Sequence, residues 1–216
     1  MARSPSPIPE PSVRRGGAAR LFAGGVRGNE LLTVAAGAVL IVLLAVIGVT
    51  IVALGRLLSV HLFVGMLLLG PLALKLSSTG YRFARYYTNN PRYRRAGPPI
   101  APLRLIAPVV VISTLIVFAS GVALLLAGPG SRDTLLPIHK VSFIVWTAFT
   151  SLHVLGHLPA LARGLSADYT PTTKDGAPDG RAGRVLSLAG AIAAGAVLAI
   201  LLIPQFSPWL HHFRHH

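Results

Sequence analysis

The sequence contains no cysteine. Structural disulfides, thiolate metal sites, iron–sulfur ligation and covalent haem attachment through a Cys-x-x-Cys-His motif are therefore excluded. Acidic residues are also scarce, with six Asp and Glu against twenty Lys and Arg. None of the six lies within a long apolar run. This argues against a proton-coupled pump, because such proteins use carboxylate relays inside the membrane.

Charged residues of either sign make up only 12% of the chain, whereas hydrophobic residues make up 53% and the mean hydropathy is +0.66. This is the composition of an integral membrane protein. A net charge of +14 would indicate nucleic-acid binding in a soluble domain. Here the basic residues lie between apolar runs, so membrane topology accounts for them and we expect no nucleic-acid partner.

Five apolar runs are long enough to cross a bilayer as helices, which predicts an all-α integral membrane protein. The runs cover about residues 31–54, 57–79, 105–127, 135–162 and 185–204. Residues 1–30 are expected to form a disordered cytoplasmic tail, and residues 205–216 an extracytoplasmic His-rich tail. The first run lacks a cleavage site and is expected to be a span rather than a signal peptide. Gly70-Pro71 predicts a kink in the second span.

The distribution of Lys and Arg predicts the orientation of the chain. The N-terminal segment and the loops after the second and fourth runs together hold fifteen, whereas the opposite loops and the C-terminus hold four. Because positive loops face the cytoplasm, we expect a multi-pass protein of a bacterial-type plasma membrane with its N-terminus in the cytoplasm. The second and fourth spans then both run from the outside inward.

Histidines mark the second and fourth spans, although ionisable side chains within hydrocarbon are costly and normally have a function. In the fourth span, His139 and His153 are fourteen residues apart, which places them on nearly one helix face about 21 Å apart. His61 in the second span lies at the depth of His139, near the outer face. Lys75 follows His61 by fourteen residues and matches His153 in depth. We expect its side chain to extend towards the inner head groups.

Two imidazoles at equal depth on neighbouring helices are the arrangement that a b-type haem requires for its two axial positions. The segments SVHLFVG around His61, PIHKVSF around His139 and SLHVLGHL around His153 resemble the membrane cytochrome b superfamily. That superfamily includes bacterial cytochrome b561-like proteins and the cytochrome b subunits of hydrogenases and formate dehydrogenases. The resemblance covers about residues 57–163. It implies a cytochrome b-like helical bundle with His61 and His139 as axial ligands of a haem b iron.

Di-haem members of this family carry, on each of two helices, a pair of histidines spaced as His139 and His153 are. Here Lys75 stands at the position of the fourth histidine. One haem is therefore expected, and a second haem at His153 stays open. Three basic residues beside the outer pair are candidate partners of the haem propionates: Arg56, Arg132 and Lys140.

The expected function is electron relay between the membrane quinone pool and an extracytoplasmic redox protein. The chain would act as an electron-transfer subunit of an oxidoreductase rather than as a stand-alone enzyme, with no catalytic side chain of its own. Membrane lipid is the remaining expected partner. An alternative from another class is a haem-free transporter or assembly factor that uses the intramembrane His and Lys residues. His157 is expected to be interfacial, and the first span, which has neither charge nor histidine, to serve helix packing.

Overall fold

A computed structural model describes residues 25–95, 101–169 and 180–214. Nearly all of these residues belong to seven α-helices: α1 (Gly25–Val52), α2 (Leu54–Tyr87), α3 (Pro91–Arg95), α4 (Ala101–Ala127), α5 (Arg132–Tyr169), α6 (Arg181–Leu201) and α7 (Ser207–Arg214). Two short 3-10 turns, Pro129–Ser131 and Ile203–Phe206, precede α5 and α7. The described residues contain no β-strand, so the all-α prediction is confirmed.

Helices α1, α2, α4, α5 and α6 contain the five segments that are long and apolar enough to cross a membrane. They coincide with the five predicted spans, and the chain is a multi-pass helical membrane protein. Residues 25–30, assigned to the N-terminal tail from the sequence, form the first turns of α1, whereas the rest of that tail lies outside the described residues. The end of the bundle with Leu54 and Arg132 is called the outer end below, and the end with Tyr87 and Tyr169 the inner end.

Four of the spans form a ring. Helix α2 packs on α1, α1 on α5 and α5 on α4, and a smaller contact between α4 and α2 closes the circuit. Helices α2 and α5, which run parallel, are not among the helix pairs that pack directly within the described residues. They therefore face each other diagonally across the bundle, with α1 on one side of the intervening space and α4 on the other. Helix α6 packs on the remaining face of α2.

The contact between α2 and α6 depends on two glycines. A Cβ at Gly70 would lie 2.0 Å from the carbonyl oxygen of Ala191, and a Cβ at Gly195 would lie 2.2 Å from that of Leu67. Because Pro71 has no N–H, the Leu67 carbonyl lacks its helical donor, and this carbonyl is the one that faces Gly195. The small residues let the two backbones approach closely, as is common between membrane helices.

Helix α2 continues through Gly70-Pro71, where the sequence predicts a kink, and both residues keep helical φ and ψ angles. The departure from helical geometry is at Leu57, where φ is −111° and ψ is 17°. The segment around Pro71 packs closely against α6, and neighbouring helices can satisfy the backbone groups that proline frees.

Large apolar side chains remain exposed along the spans, among them Val52 at 90%, Leu105 at 78% and Ile144 at 66% exposure. Apolar surface of this extent is stable in contact with hydrocarbon rather than water. The exposed faces therefore agree with the expectation of membrane lipid as a partner.

The C-terminal segment after α6 folds back over the outer end of the bundle. Phe206 is 5% exposed and Trp209 is 6% exposed, and both belong to an apolar cluster with Leu58 of α2 and Leu125 of α4. Leu58 lies about one turn before His61 in the same helix. The segment thus covers the bundle at the end where the predicted histidine pair lies.

Candidate functional site

The structure brings His61 and His139 to the same level of the bundle. Each lies seven residues after the first residue of its helix, Leu54 in α2 and Arg132 in α5. Both side chains are half-buried, and the two imidazoles are close enough to interact electrostatically. The two histidines therefore occupy equivalent positions along α2 and α5, as the depth predicted from the sequence requires.

The tautomer of His61 follows from its hydrogen-bond partner. Nδ1 of His61 lies 2.9 Å from Oγ1 of Thr50. The Thr50 hydroxyl donates its single proton to the carbonyl oxygen of Ile47 at 2.6 Å, so towards His61 it can only accept. Nδ1 therefore carries the proton, and Nε2 of His61 keeps its lone pair.

The same tautomer follows for His139. Its Nδ1 lies 3.0 Å from the backbone carbonyl oxygen of Val117 in α4. A carbonyl oxygen can only accept a hydrogen bond, so Nδ1 is protonated and Nε2 is not. The hydroxyl of Ser120 lies 3.1 Å from the same Nδ1 and donates to the same Val117 carbonyl. The ring of His139 is therefore held from α4 as the ring of His61 is held from α1.

These geometries leave the Nε2 atom of each imidazole available as a ligand. Nε2 of His61 and Nε2 of His139 have no hydrogen-bond partner among the described residues. Histidines that bind metals characteristically donate the other ring N–H to a carbonyl or hydroxyl, which fixes the ring and raises the basicity of the ligating nitrogen. Both histidines meet this requirement, and the residues present fit a haem with two axial imidazoles.

Glycines leave room around both rings. A Cβ at Gly121 in α4 would lie 3.1 Å from Cε1 of His139, so any larger residue there would displace the imidazole. Gly65 follows His61 by one turn and shares its helix face, and a Cβ there would meet no heavy atom within 4 Å. The space beside Gly65, on the helix face of His61, is therefore not filled by protein.

The predicted propionate partners Arg56, Arg132 and Lys140 all lie at the outer end with exposed side chains. None of them has a hydrogen bond or an ion pair within the described part of the chain. Arg132 precedes His139 by two turns on nearly the same helix face, whereas Lys140 is rotated about 100° from it. Arg132 is therefore the best placed of the three to reach a group bound at His139.

Lys75 does not extend to the inner head groups as expected. Its Nζ donates a hydrogen bond to the carbonyl oxygen of Thr33 in α1 at 3.2 Å. Gly37, one turn further along α1, makes the room for this, because a Cβ there would lie 2.8 Å from Nζ. A backbone carbonyl within reach offsets part of the cost of removing the ammonium from water, and the side chain turns into the bundle.

The surroundings of His153 differ from those of His61 and His139. Its Nδ1 is buried and has no hydrogen-bond partner among the described residues. Its ring lies 4.6 Å from the ring of His157, centroid to centroid, and it interacts electrostatically with Lys75. The described residues bring no second histidine from α2 to this level, which differs from the arrangement around His61 and His139.

The sequence alone does not connect Thr50 with His61. The first span was expected to serve helix packing, and the structure adds a hydrogen bond between His61 and its Thr50. Thr50 is 1% exposed, and the only signal for it in the sequence is its hydroxyl, one of two in the first run together with that of Thr33. Ser120 and Gly121 are small residues in the third span. The sequence does not show that they contact His139, because this depends on the rotation of α4 and α5 about their axes.

Comparison with protein-family models, with curated proteins and with solved structures gives no match to this chain. Among the described residues there is also no group of three or more His, Asp or Glu side chains that could hold a metal ion. The functional inference therefore depends on the pair formed by His61 and His139.

Proposed function

We propose that this protein is a membrane b-type cytochrome of the cytochrome b superfamily, with His61 and His139 as the axial ligands of one haem b. The observation that carries the proposal is the matched protonation of the two rings. Each imidazole is anchored through Nδ1–H by a neighbouring helix, and each keeps Nε2 without a hydrogen-bond partner among the described residues. A haem with two axial imidazoles needs this arrangement on both faces.

Haem b, when bound, supplies a reversible one-electron iron couple. The chain's contribution is to hold the ligands and to set their environment. Thr50 and the Val117 carbonyl keep the two rings from rotating, and Gly121 lets the ring of His139 sit close to α4. The apolar faces of α2 and α5 exclude water, and the exposed Arg132 offers a cation near the outer end.

One haem per chain is favoured over two. The inner level has a single candidate ligand, His153, whose Nδ1 has no partner in the described residues to orient the ring. Lys75 faces it from α2, but its Nζ already donates to Thr33. Neither side chain has the support that metal ligands normally receive from hydrogen bonds around them.

The proposed electron donor or acceptor in the membrane is a quinone, and the second partner is an extracytoplasmic redox protein. The proposed orientation, with fifteen of the twenty Lys and Arg on the cytoplasmic side, places His61 and His139 near the outer face. A centre at that depth is far from soluble cytoplasmic donors and close to the outer surface. The protein would then act as the electron-transfer subunit of an oxidoreductase.

The visible spectrum of the purified protein tests this proposal. Reduced-minus-oxidised spectra should show the bands of a b-type haem in the wild type. His211→Ala, which replaces an exposed histidine of α7, should leave these bands unchanged. A wild-type protein that carries no haem when produced with ample haem supply would overturn the proposal.

The second candidate function is a haem-free transporter or assembly factor, favoured by the grouping of Lys75, His153 and His157 in the inner half of the bundle. Such a protein would depend on the inner group and not on the outer pair. A transport or assembly phenotype lost in Lys75→Gln but kept in His61→Ala would support it, and the reverse pattern would favour the cytochrome.

A further inference from the structure

The inner half of the space between α2 and α5 collects basic side chains. Lys75 and Arg82 lie seven residues apart on one face of α2. His153 and His157 lie on α5, with their rings in contact. Lys75 interacts electrostatically with both histidines, and Arg82 with His157 and with Lys75. Four basic groups from two helices that do not pack directly thus lie near one another in the inner half of the bundle.

Among the residues whose side chains the structure describes, no acidic side chain balances this group. The described residues give neither Lys75 nor Arg82 an ion pair, although both are half-buried. Glu30, the acidic residue in the first turns of α1, is exposed. A half-buried cluster of one sign destabilises the fold unless an anion joins it, because like charges repel strongly away from water.

Two further polar atoms in the same region lack partners. Nδ1 of His153 and Oγ1 of Thr150, one helical turn earlier, are both buried without a hydrogen bond in the described structure. Orphaned buried polar atoms are rare in folded proteins and usually indicate an unseen ligand or water. Since His153 also interacts with Lys75, a ligand that satisfies these atoms would carry oxygen atoms as well as negative charge.

The depth of the cluster favours a lipid. Arg82 lies where the apolar stretch of α2 gives way to the sequence GYRFARYY, at the level of the inner head groups. Lys75 lies about 10 Å deeper by helix rise. A phospholipid spans this interval, with its phosphate at the surface and its glycerol ester oxygens below. Basic pockets between membrane helices on the cytoplasmic side are known to bind anionic lipid head groups.

We propose that the group formed by Lys75, Arg82, His153 and His157, in the inner half of the bundle, binds one anionic phospholipid. Arg82 and His157 hold the phosphate, while Lys75 and His153 face the ester oxygens of the same lipid. Lys75 has three N–H donors and uses one on Thr33, so two remain for the ligand. The site is separate from the outer histidine pair and stands whether or not that pair binds haem.

Native mass spectrometry of the full-length protein, titrated with short-chain phosphatidylglycerol, tests the proposal. The wild type should bind one molecule in preference to phosphatidylcholine of the same chain length. The double variant Lys75→Gln, Arg82→Gln should bind it about thirtyfold more weakly. Arg95→Gln, which removes an exposed arginine of α3, is the matched control and should bind as the wild type does. The single variant Arg82→Lys keeps the charge and leaves Lys75 unchanged, so it should bind with most of the wild-type affinity. It tests the role of the charge even if the double variant is poorly folded.

Three results would overturn the proposal. The first is equal binding of phosphatidylglycerol by the wild type and the double variant. The second is binding of inorganic phosphate to the wild type as tight as that of phosphatidylglycerol, which would assign the site to a soluble anion. The third is a ratio of two haems per chain that falls to one in His153→Ala, because the propionates of a second haem would then supply the anion. Loss of haem from His61→Ala with lipid binding intact would instead separate this site from the proposed cytochrome function and leave it standing.

Discussion

Nδ1 of His61 donates a hydrogen bond to Oγ1 of Thr50 at 2.9 Å, and the Thr50 hydroxyl donates a hydrogen bond to the carbonyl oxygen of Ile47 at 2.6 Å. This chain of two bonds joins the end of α1 to the first turns of α2. It determines which nitrogen of His61 is free, and so gives the first span a part in the site despite its lack of histidine and charge.

Replacing Thr50 tests this relationship. Thr50→Val keeps the shape of the side chain but removes the acceptor, so the His61 ring loses its fixed tautomer. Haem affinity should fall about tenfold to a hundredfold, measured as haem retained per chain during dilution and by haem transfer to a competing apoprotein. Thr50→Ser retains the hydroxyl and should bind nearly as the wild type does. Equal affinity in Thr50→Val and the wild type would show that this bond has no part in ligation.

Gly121 offers a steric test on the other side of the site. A Cβ at this position would approach Cε1 of His139 to 3.1 Å, so Gly121→Leu should push the ring out of its position and abolish most haem binding. Gly190→Leu in α6, where a Cβ would meet nothing within 4 Å, is the matched control. Haem content near that of the wild type in Gly121→Leu would mean that His139 does not need its observed position.

The number of haems is tested at the inner level. His153→Ala should leave both the haem-to-chain ratio and the reduced spectrum unchanged, because the proposed ligands are at the outer end. The pyridine haemochrome assay, referred to protein concentration, gives the ratio directly. A fall in this ratio by half would establish a second haem and contradict the single-haem account.

The packing of α2 against α6 predicts a stability effect that is independent of function. Gly195→Ala places a Cβ 2.2 Å from the Leu67 carbonyl oxygen, so the helices must separate. The expected loss is about 1–3 kcal/mol, seen as a lower thermal transition of the protein in detergent. Gly190→Ala should be nearly neutral, and equal transitions in the two variants would contradict the observed backbone contact.

Much of the architecture could be predicted because membrane helices are recognised in a sequence by their length and apolar composition. The match in depth of His61 and His139 also followed from the sequence, since two crossings in the same direction fix which residues share a level. The partners of these residues could not be predicted. Whether His61 faces Thr50, or Lys75 turns to Thr33 rather than to the inner surface, depends on the rotation of neighbouring helices about their axes. That rotation is set by side-chain packing over the whole interface, which a single span does not reveal.

The most direct test of the account is the haem-to-chain ratio of the wild type, His61→Ala and His139→Ala, measured side by side with His211→Ala as the control. The account predicts one haem per chain in the wild type and in the control, and loss of nearly all bound haem in each of the two ligand variants. Unchanged haem content in both His61→Ala and His139→Ala would contradict the central claim that these two imidazoles hold the haem between α2 and α5.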